Sequence, residues 1–293
     1  MTSTDKVHPN EAVAGILAMC AAMTCFVISD VFSKLVTADL PIGETIALRG
    51  VLSTAIFAVP VLVSGTAPML REKFSRLWLA RIVTEMGGAV TFISAITFLP
   101  MANVVAILQT SPLVMSAAAA IVLGERAGIR RWLATIAGFI GVLAIVKPGF
   151  GSFSWWSMLA VATTACVVVR DVATRRMDRT IPATLITFTT AAGVTLAGVS
   201  LGLFETGWRW PTSQQWLYML GAAAFVAMAY YFSIEAVRRA ELAIVAPFRY
   251  TNLPLSLLAG WFIWREVPDV WSLLGIAIIA AAGVATFVRE RHG

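Results

Sequence analysis

Histidine is almost missing from this chain. The only two, His8 and His292, lie at the ends of its 293 residues. No zinc-protease HExxH can be built from them, and neither a GxSxG elbow nor a paired aspartate motif in a helix occurs. An intramembrane enzyme is therefore the weaker reading, and no metal and no cofactor are expected. Charge is scarce as well. Lys, Arg, Asp and Glu make up 13% of the residues, about half the roughly 25% of a soluble domain. Cysteine is limited to Cys20, Cys25 and Cys166, each inside an apolar run. That excludes a disulfide framework and leaves buried free thiols. There is no ATP-binding motif, no filter-like loop and no ring of carboxylates. Transport coupled to ATP and an ion channel both lose ground.

What the chain has instead is apolar length, with 59% hydrophobic residues. About 20 apolar residues cross a bilayer. Runs long enough lie near 12–36, 43–64, 77–98, 101–123, 129–147, 154–171, 182–204, 213–236, 241–264 and 269–288. The breaks are too short for a soluble domain. The polar start MTSTDKVHPNE precedes a run that no small-residue site closes, so the first helix is expected to be retained. This is an all-α integral membrane protein with ten transmembrane helices and the lipid bilayer as its solvent.

The basic residues alternate with this count. Lys6, Arg71, Lys73, Arg76, Arg126, Arg130, Arg131, Arg175, Arg176, Arg179, Arg238, Arg239, Arg289 and Arg291 fall on one side, with Arg81 and Arg170 at helix ends there. Only Lys34, Lys147, Arg209 and Arg265 fall on the other. Positive residues stay inside, so both termini are expected in the cytoplasm. The net charge of +6 then sets topology and gives no reason to expect nucleic acid. Arg49 and Arg249 are left within the membrane.

PLVMSAAAAIVLGERAGIRRWLATIAGFIGV, from Pro112, parallels PLSLLAGWFIWREVPDVWSLLGIAIIAAAGV, from Pro254. Both open Pro-Leu and close Gly-Val at the same separation, with Glu125 or Glu266 at the break between two helices. The parallel implies a first five-helix repeat at 1–149 and a second at 150–293. An odd number of spans inverts one against the other, which is a transporter arrangement with its substrate site between the halves.

These segments, LGER and APFRYTNLPLSLLAGWFIW above all, resemble the EamA branch of the drug/metabolite transporter superfamily over nearly the whole chain. Arg265 stands where that family usually has glycine. Within the family the chain resembles bacterial exporters of amino acids and related metabolites, including the YddG-type aromatic amino acid exporters. The resemblance implies a multi-pass inner-membrane exporter with a central cavity walled by the first, third, fourth, sixth, eighth and ninth helices. Its partner would be a small-molecule substrate, and a monomer is the expected state.

Arg249 opens the list of site candidates. It lies roughly 12 Å into the ninth run at 1.5 Å per residue, too deep for easy snorkelling. An unpaired arginine there costs about 2.5–3.5 kcal/mol. Glu85, in ARIVTEMGG, is similarly deep. Either the two form a structural ion pair, or they clamp the carboxylate and ammonium of a substrate. In SDVFSKL, Asp30 and Lys34 are spaced to pair along one face, Arg49 is expected to seek Asp30, and Asp30 is the best acid for an ammonium or a proton. Gln109 and Ser111 precede Pro112, and Tyr250 and Asn252 precede Pro254, at matching places in the repeats. Proline frees a carbonyl about one turn earlier, so these positions suit a binding site or a packing kink. Tyr230 is a candidate for an aromatic wall. Trp155, Trp156, Trp208, Trp210, Trp216, Trp264 and Trp271 read as an interfacial belt. A nucleotide-sugar or sugar-phosphate carrier would need several basic groups, and only Arg49 and Arg249 are expected to be buried.

Overall fold

The computed structural model describes residues 9–114, 129–147, 154–178, 180–239 and 245–290. Glu125 and the LGER segment lie outside the described residues, as do the alanine run at 117–120 and Lys6, Arg126, Arg179 and Arg291. The helices are α1 (Pro9–Thr37), α2 (Ile42–Val63), α3 (Arg76–Phe98), α4 (Met101–Leu108), α5 (Ile129–Val146), α6 (Trp156–Arg176), α7 (Ala183–Gly202), α8 (Ser213–Arg239), α9 (Asn252–Ala259) and α10 (Val270–Glu290). A short helix, Met69–Lys73, joins α2 to α3. Among the described residues, six helices (α1, α2, α3, α6, α7 and α8) are long and apolar enough to cross a membrane, and shorter apolar helices occur at Met101–Val114, Trp132–Val146 and Val270–Val284.

Proline places several helix starts. Pro41, Pro100 and Pro182 stand at the N-caps of α2, α4 and α7, where a fixed φ and a missing N–H cost nothing. Ser75 caps α3 by accepting the Trp78 N–H at 3.3 Å. Two spans are broken. After α4 comes a turn at 109–110, before the helical turn at 111–114. Before α9 comes a 3₁₀ turn, Ala246–Thr251, and after it a π turn, Gly260–Trp264. Pro112 and Pro254 supply no N–H to the carbonyls four residues back, which is why the ladder loosens there.

The helix pairing is two-fold. α1 packs on α8 and α3 on α6, while α2 packs on α7, α4 on α9 and α5 on α10. Exchanging each helix with the one five places along turns the first pair into the second and leaves the other three unchanged. A shift of five reverses helix direction, so the two five-helix repeats are inverted. Close approach at the self-paired seams depends on glycine. A Cβ on Gly198 would lie 2.3 Å from Ala47 N, and one on Gly275 would lie 2.5 Å from Gly141 O. Such seams give the packing that apolar solvent cannot drive.

The largest core cluster joins α4 to its neighbours through Ile93, Ile96, Met101, Val104, Val105, Ile107, Ile145, Leu253 and Ile279. Large apolar side chains such as Leu62, Leu133, Phe139, Leu196 and Leu217 are exposed, as a lipid-facing surface requires. Trp155, Trp208, Trp210 and Trp271 are exposed near helix ends, while Trp216 and Trp264 are half-buried.

Candidate functional site

A chain of charged groups crosses the middle of the bundle. Arg170, on α6, donates from Nε to Asp171 Oδ1 at 2.8 Å and from Nη1 to Glu85 Oε2, on α3, at 3.3 Å. Arg81 Nη1 donates to Thr174 Oγ1 at 2.6 Å. The Tyr230 hydroxyl, on α8, sits in the field of Glu85, Arg170, Arg81 and Arg49, and its ring meets Phe26 and Phe57 edge-on at 5.6 and 6.0 Å. Beyond it, Arg49 on α2 donates to Ser33 Oγ at 2.9 Å and attracts Asp30. At the other end, Arg249 is exposed, and Asp171 and Arg170 are the charges that act on it. Four arginines and three carboxylates thus meet inside a membrane, where such groups are costly and mark function by default.

Several expected contacts are replaced. Glu85 does not pair with Arg249; Arg170 takes it instead, because α6 packs directly on α3. Asp30 does not pair with Lys34. The lysine reaches Glu266 at 2.5 Å and Leu99 O at 3.0 Å, contacts across the bundle that outcompete the one along its own helix. Arg49 attracts Asp30 without an ion pair within 4 Å among the described residues. Arg170 and Arg81 are half-buried like Arg49, while Arg249, expected to be buried, is exposed, so the expected pair of buried arginines does not hold and counting alone does not disfavour phosphate cargo. Glu266, at the break between two helices, also reaches α4: its Oε2 accepts the Met101 N–H at 3.1 Å.

The polar residues at the kinks hold the broken spans together. Gln109 donates from Nε2 to Arg249 O at 2.8 Å, and the Tyr250 hydroxyl donates back to Gln109 O at 3.2 Å. Tyr250 is buried and covers Gly283, where a Cβ would overlap its ring. Ser111 is half-buried in the next helical turn. Asn252 is half-buried, with its Oδ1 sealed and unpartnered.

Outside the membrane-spanning helices two ion pairs tie loops. Asp178 accepts from Thr180 N at 2.9 Å and from Lys73 Nζ at 3.0 Å, and these bonds, the Thr180 N–H first, hold its carboxyl down at about 2. Asp269 is held below the usual range by the Lys147 ammonium, then by the Ser272 N–H at 2.8 Å. No group of three or more metal-ligating side chains occurs among the described residues.

Inverted repeats packed around a charged interior define a membrane transporter rather than an enzyme. The chain belongs to the EamA-like transporter family, which it matches twice, over residues 13–147 and 154–288. It is similar to a riboflavin transporter of Rhizobium johnstonii, 28% identical over 97% of this chain and 94% of that one. It is also similar to a pseudopaline exporter of Pseudomonas aeruginosa, at 25% over 93% and 95%. An S-adenosylmethionine uptake transporter of Rickettsia conorii matches at 24% over 90% and 88%. A solved crystal structure at 21% identity superposes with a TM-score of 0.65 over 95% of this chain and 98% of that one, which shows the shared fold.

The second family match begins 141 residues after the first. At that spacing Cys25, Asp30 and Pro41 fall on Cys166, Asp171 and Pro182. This alignment was the available signal for Asp171, and through it for Arg170.

Proposed function

We propose that the protein carries a small zwitterionic metabolite, an amino acid or a compound bearing an amino acid group, aromatic ones included, across the bacterial inner membrane. One observation carries the reading. Arg249 is exposed at the end of the interior charge chain and has no ion pair among the described residues, while the neighbouring carboxylates are occupied by Arg170. A free guanidinium suits a substrate carboxylate, with two parallel N–H···O bonds. The substrate ammonium then competes with Arg170 for Glu85 or Asp171, or reaches Asp30. Tyr230, with Phe26 and Phe57, offers an apolar wall. Gln109 and Tyr250 hold the backbone that presents Arg249, and Ser111 and Asn252 line the kinks. The repeats, divided near 149/150, rock about this site with both termini in the cytoplasm.

S-adenosylmethionine, the named cargo of one relative, itself bears an amino acid group, which supports this class. A second reading is riboflavin, a flat aromatic cargo, favoured by a relative so named that matches over nearly full length. Uptake into proteoliposomes separates them. Labelled aromatic and aliphatic amino acids, S-adenosylmethionine, riboflavin and a sugar phosphate are offered with and without a pH gradient. Saturable uptake of amino-acid-bearing compounds alone is expected. Uptake of riboflavin or the sugar phosphate without them would overturn the proposal.

A further inference from the structure

Every buried or half-buried carboxylate described in the bundle has a direct partner, except one. Glu44 accepts the Arg209 N–H at 3.4 Å, and Glu205 accepts the Gly43 N–H at 2.8 Å. Glu85 and Asp171 share Arg170, Glu235 holds Arg239 at 2.6 Å, and Glu266 holds Lys34. Asp30 is only 9% exposed, yet it makes no hydrogen bond and no ion pair among the described residues. Its oxygens are not sealed either. Among the described residues the buried side-chain polar atoms without partners are Arg81 Nε, Asn103 Oδ1 and Asn252 Oδ1, so the Asp30 oxygens keep some accessible surface.

The repeat explains the vacancy. Asp171, the counterpart of Asp30, has Arg170 immediately before it as a built-in cation, bonded at 2.8 Å. The counterpart of Arg170 is Ser29, whose hydroxyl is spent on Ala222 O at 2.9 Å. One repeat neutralises its aspartate, and the other leaves it to something that comes and goes.

We propose that Asp30 is the proton-binding group of the transport cycle, taking one proton from solvent at one end of the bundle and returning it at the other. A lone carboxylate inside a membrane bundle favours its neutral form through desolvation and its charged form through a nearby cation. Asp30 has both influences. Arg49, on α2, attracts it but is bonded to Ser33. The elements packed on α1 also carry Tyr230 on α8, whose ring meets Phe26 of α1 at 5.6 Å, Glu85 on α3 and Arg249 in the 3₁₀ turn, and of the charged groups Arg49 is the one that acts on Asp30. Glu85 is already held by Arg170, and Lys34, on the same helix, is held by Glu266. A metal cation would need more ligands than this, and no such cluster is described. A substrate ammonium has the same chemistry, and the test separates it from a proton.

Infrared difference spectra between acidic and neutral pH are recorded on the purified full chain without substrate, so this arm stands apart from the proposed cargo. The parent and Asp171→Asn are expected to show a protonated carboxyl band that Asp30→Asn lacks. In proteoliposomes, labelled phenylalanine serves as the probe. Asp30→Asn should lose gradient-driven accumulation at least about tenfold, to the level without a gradient, while Asp30→Glu retains it. If Asp30→Asn does not fold, a displaced band in Asp30→Glu supports the proposal equally. Identical spectra of parent and Asp30→Asn would overturn it. So would loss of phenylalanine transport in Asp30→Asn at every pH when the parent shows no such band, which assigns Asp30 to the substrate ammonium. A parent that shows the band but ignores phenylalanine keeps the proton site and removes the amino acid reading.

Discussion

The Lys34 ammonium lies 2.5 Å from Glu266 Oε1, and it stands 4.8 Å over the Trp264 ring. Glu266 spends its other oxygen on the Met101 N–H, and Lys34 its remaining reach on Leu99 O. Three separate parts of the chain meet there: the end of α1, the α3–α4 junction and the turn before α10.

Neutralising one partner therefore strands the other. Lys34→Met or Glu266→Gln alone should cost about 3 kcal/mol, the lower end for a broken buried pair, because Glu266 keeps 22% exposure. The double variant should recover most of the loss. Thermal unfolding in detergent provides the double-mutant cycle, and simple additivity of the two single effects would refute the coupling.

Arg249 should tolerate lysine as a fold but not as a carrier. Lysine keeps the charge and loses the planar fork. Arg249→Lys should melt near the parent and lose about ten- to a hundredfold in apparent affinity for amino acids, the worth of a charged hydrogen bond. Arg249→Ala should spare analogues without a carboxylate. An equal loss for both kinds of cargo would remove the carboxylate contact.

The Lys73–Asp178 tie carries a pH signature. The Asp178 carboxyl sits at about 2 in the folded state, below its ordinary value of 3.8. A depressed carboxyl stabilises the fold above its unfolded value and loses that contribution as pH falls through the folded one. The melting difference between the parent and Asp178→Asn should be constant at neutral pH and shrink between about pH 4 and pH 2. A difference that grows with acid would contradict the sign.

Topology gives a direct check on orientation. A cysteine at Asp269 should react with an impermeant thiol reagent in intact cells, and one at Lys73 only after lysis. The reverse pattern would place the termini outside.

The ten apolar runs and the two repeats were legible in the sequence because lipid demands length and loops demand charge, and both are one-dimensional signals. The ion pairs were not. Lys34 and Asp30 are four apart, and periodicity matched them, but Glu266 lies 232 residues away and wins through packing. Arg170 read as a helix-end residue because it stands six places before Arg176. Only the pairing of α3 with α6 turns it inward onto Glu85. Arg49 and Arg249 stood out because each was visibly alone in an apolar run, whereas a charge near a helix end hides among ordinary neighbours. The unfilled state of Asp30 had no sequence mark beyond Ser29 preceding it where Arg170 precedes Asp171.

Among the described residues the dominant helix contacts cross between halves: α1 with α8, α2 with α7 and α8, α3 with α6 and α7, and α5 with α10. Neither half owns an interior. Cut between α5 and α6, the chain would yield two fragments that each present raw packing faces and can satisfy them only on one another. Co-expressed fragments should therefore reassemble, while either one alone should be degraded. A single ancestral half could have met the same demand only by meeting a copy of itself upside down in the bilayer, so the fold carries the imprint of an antiparallel dimer within one polypeptide.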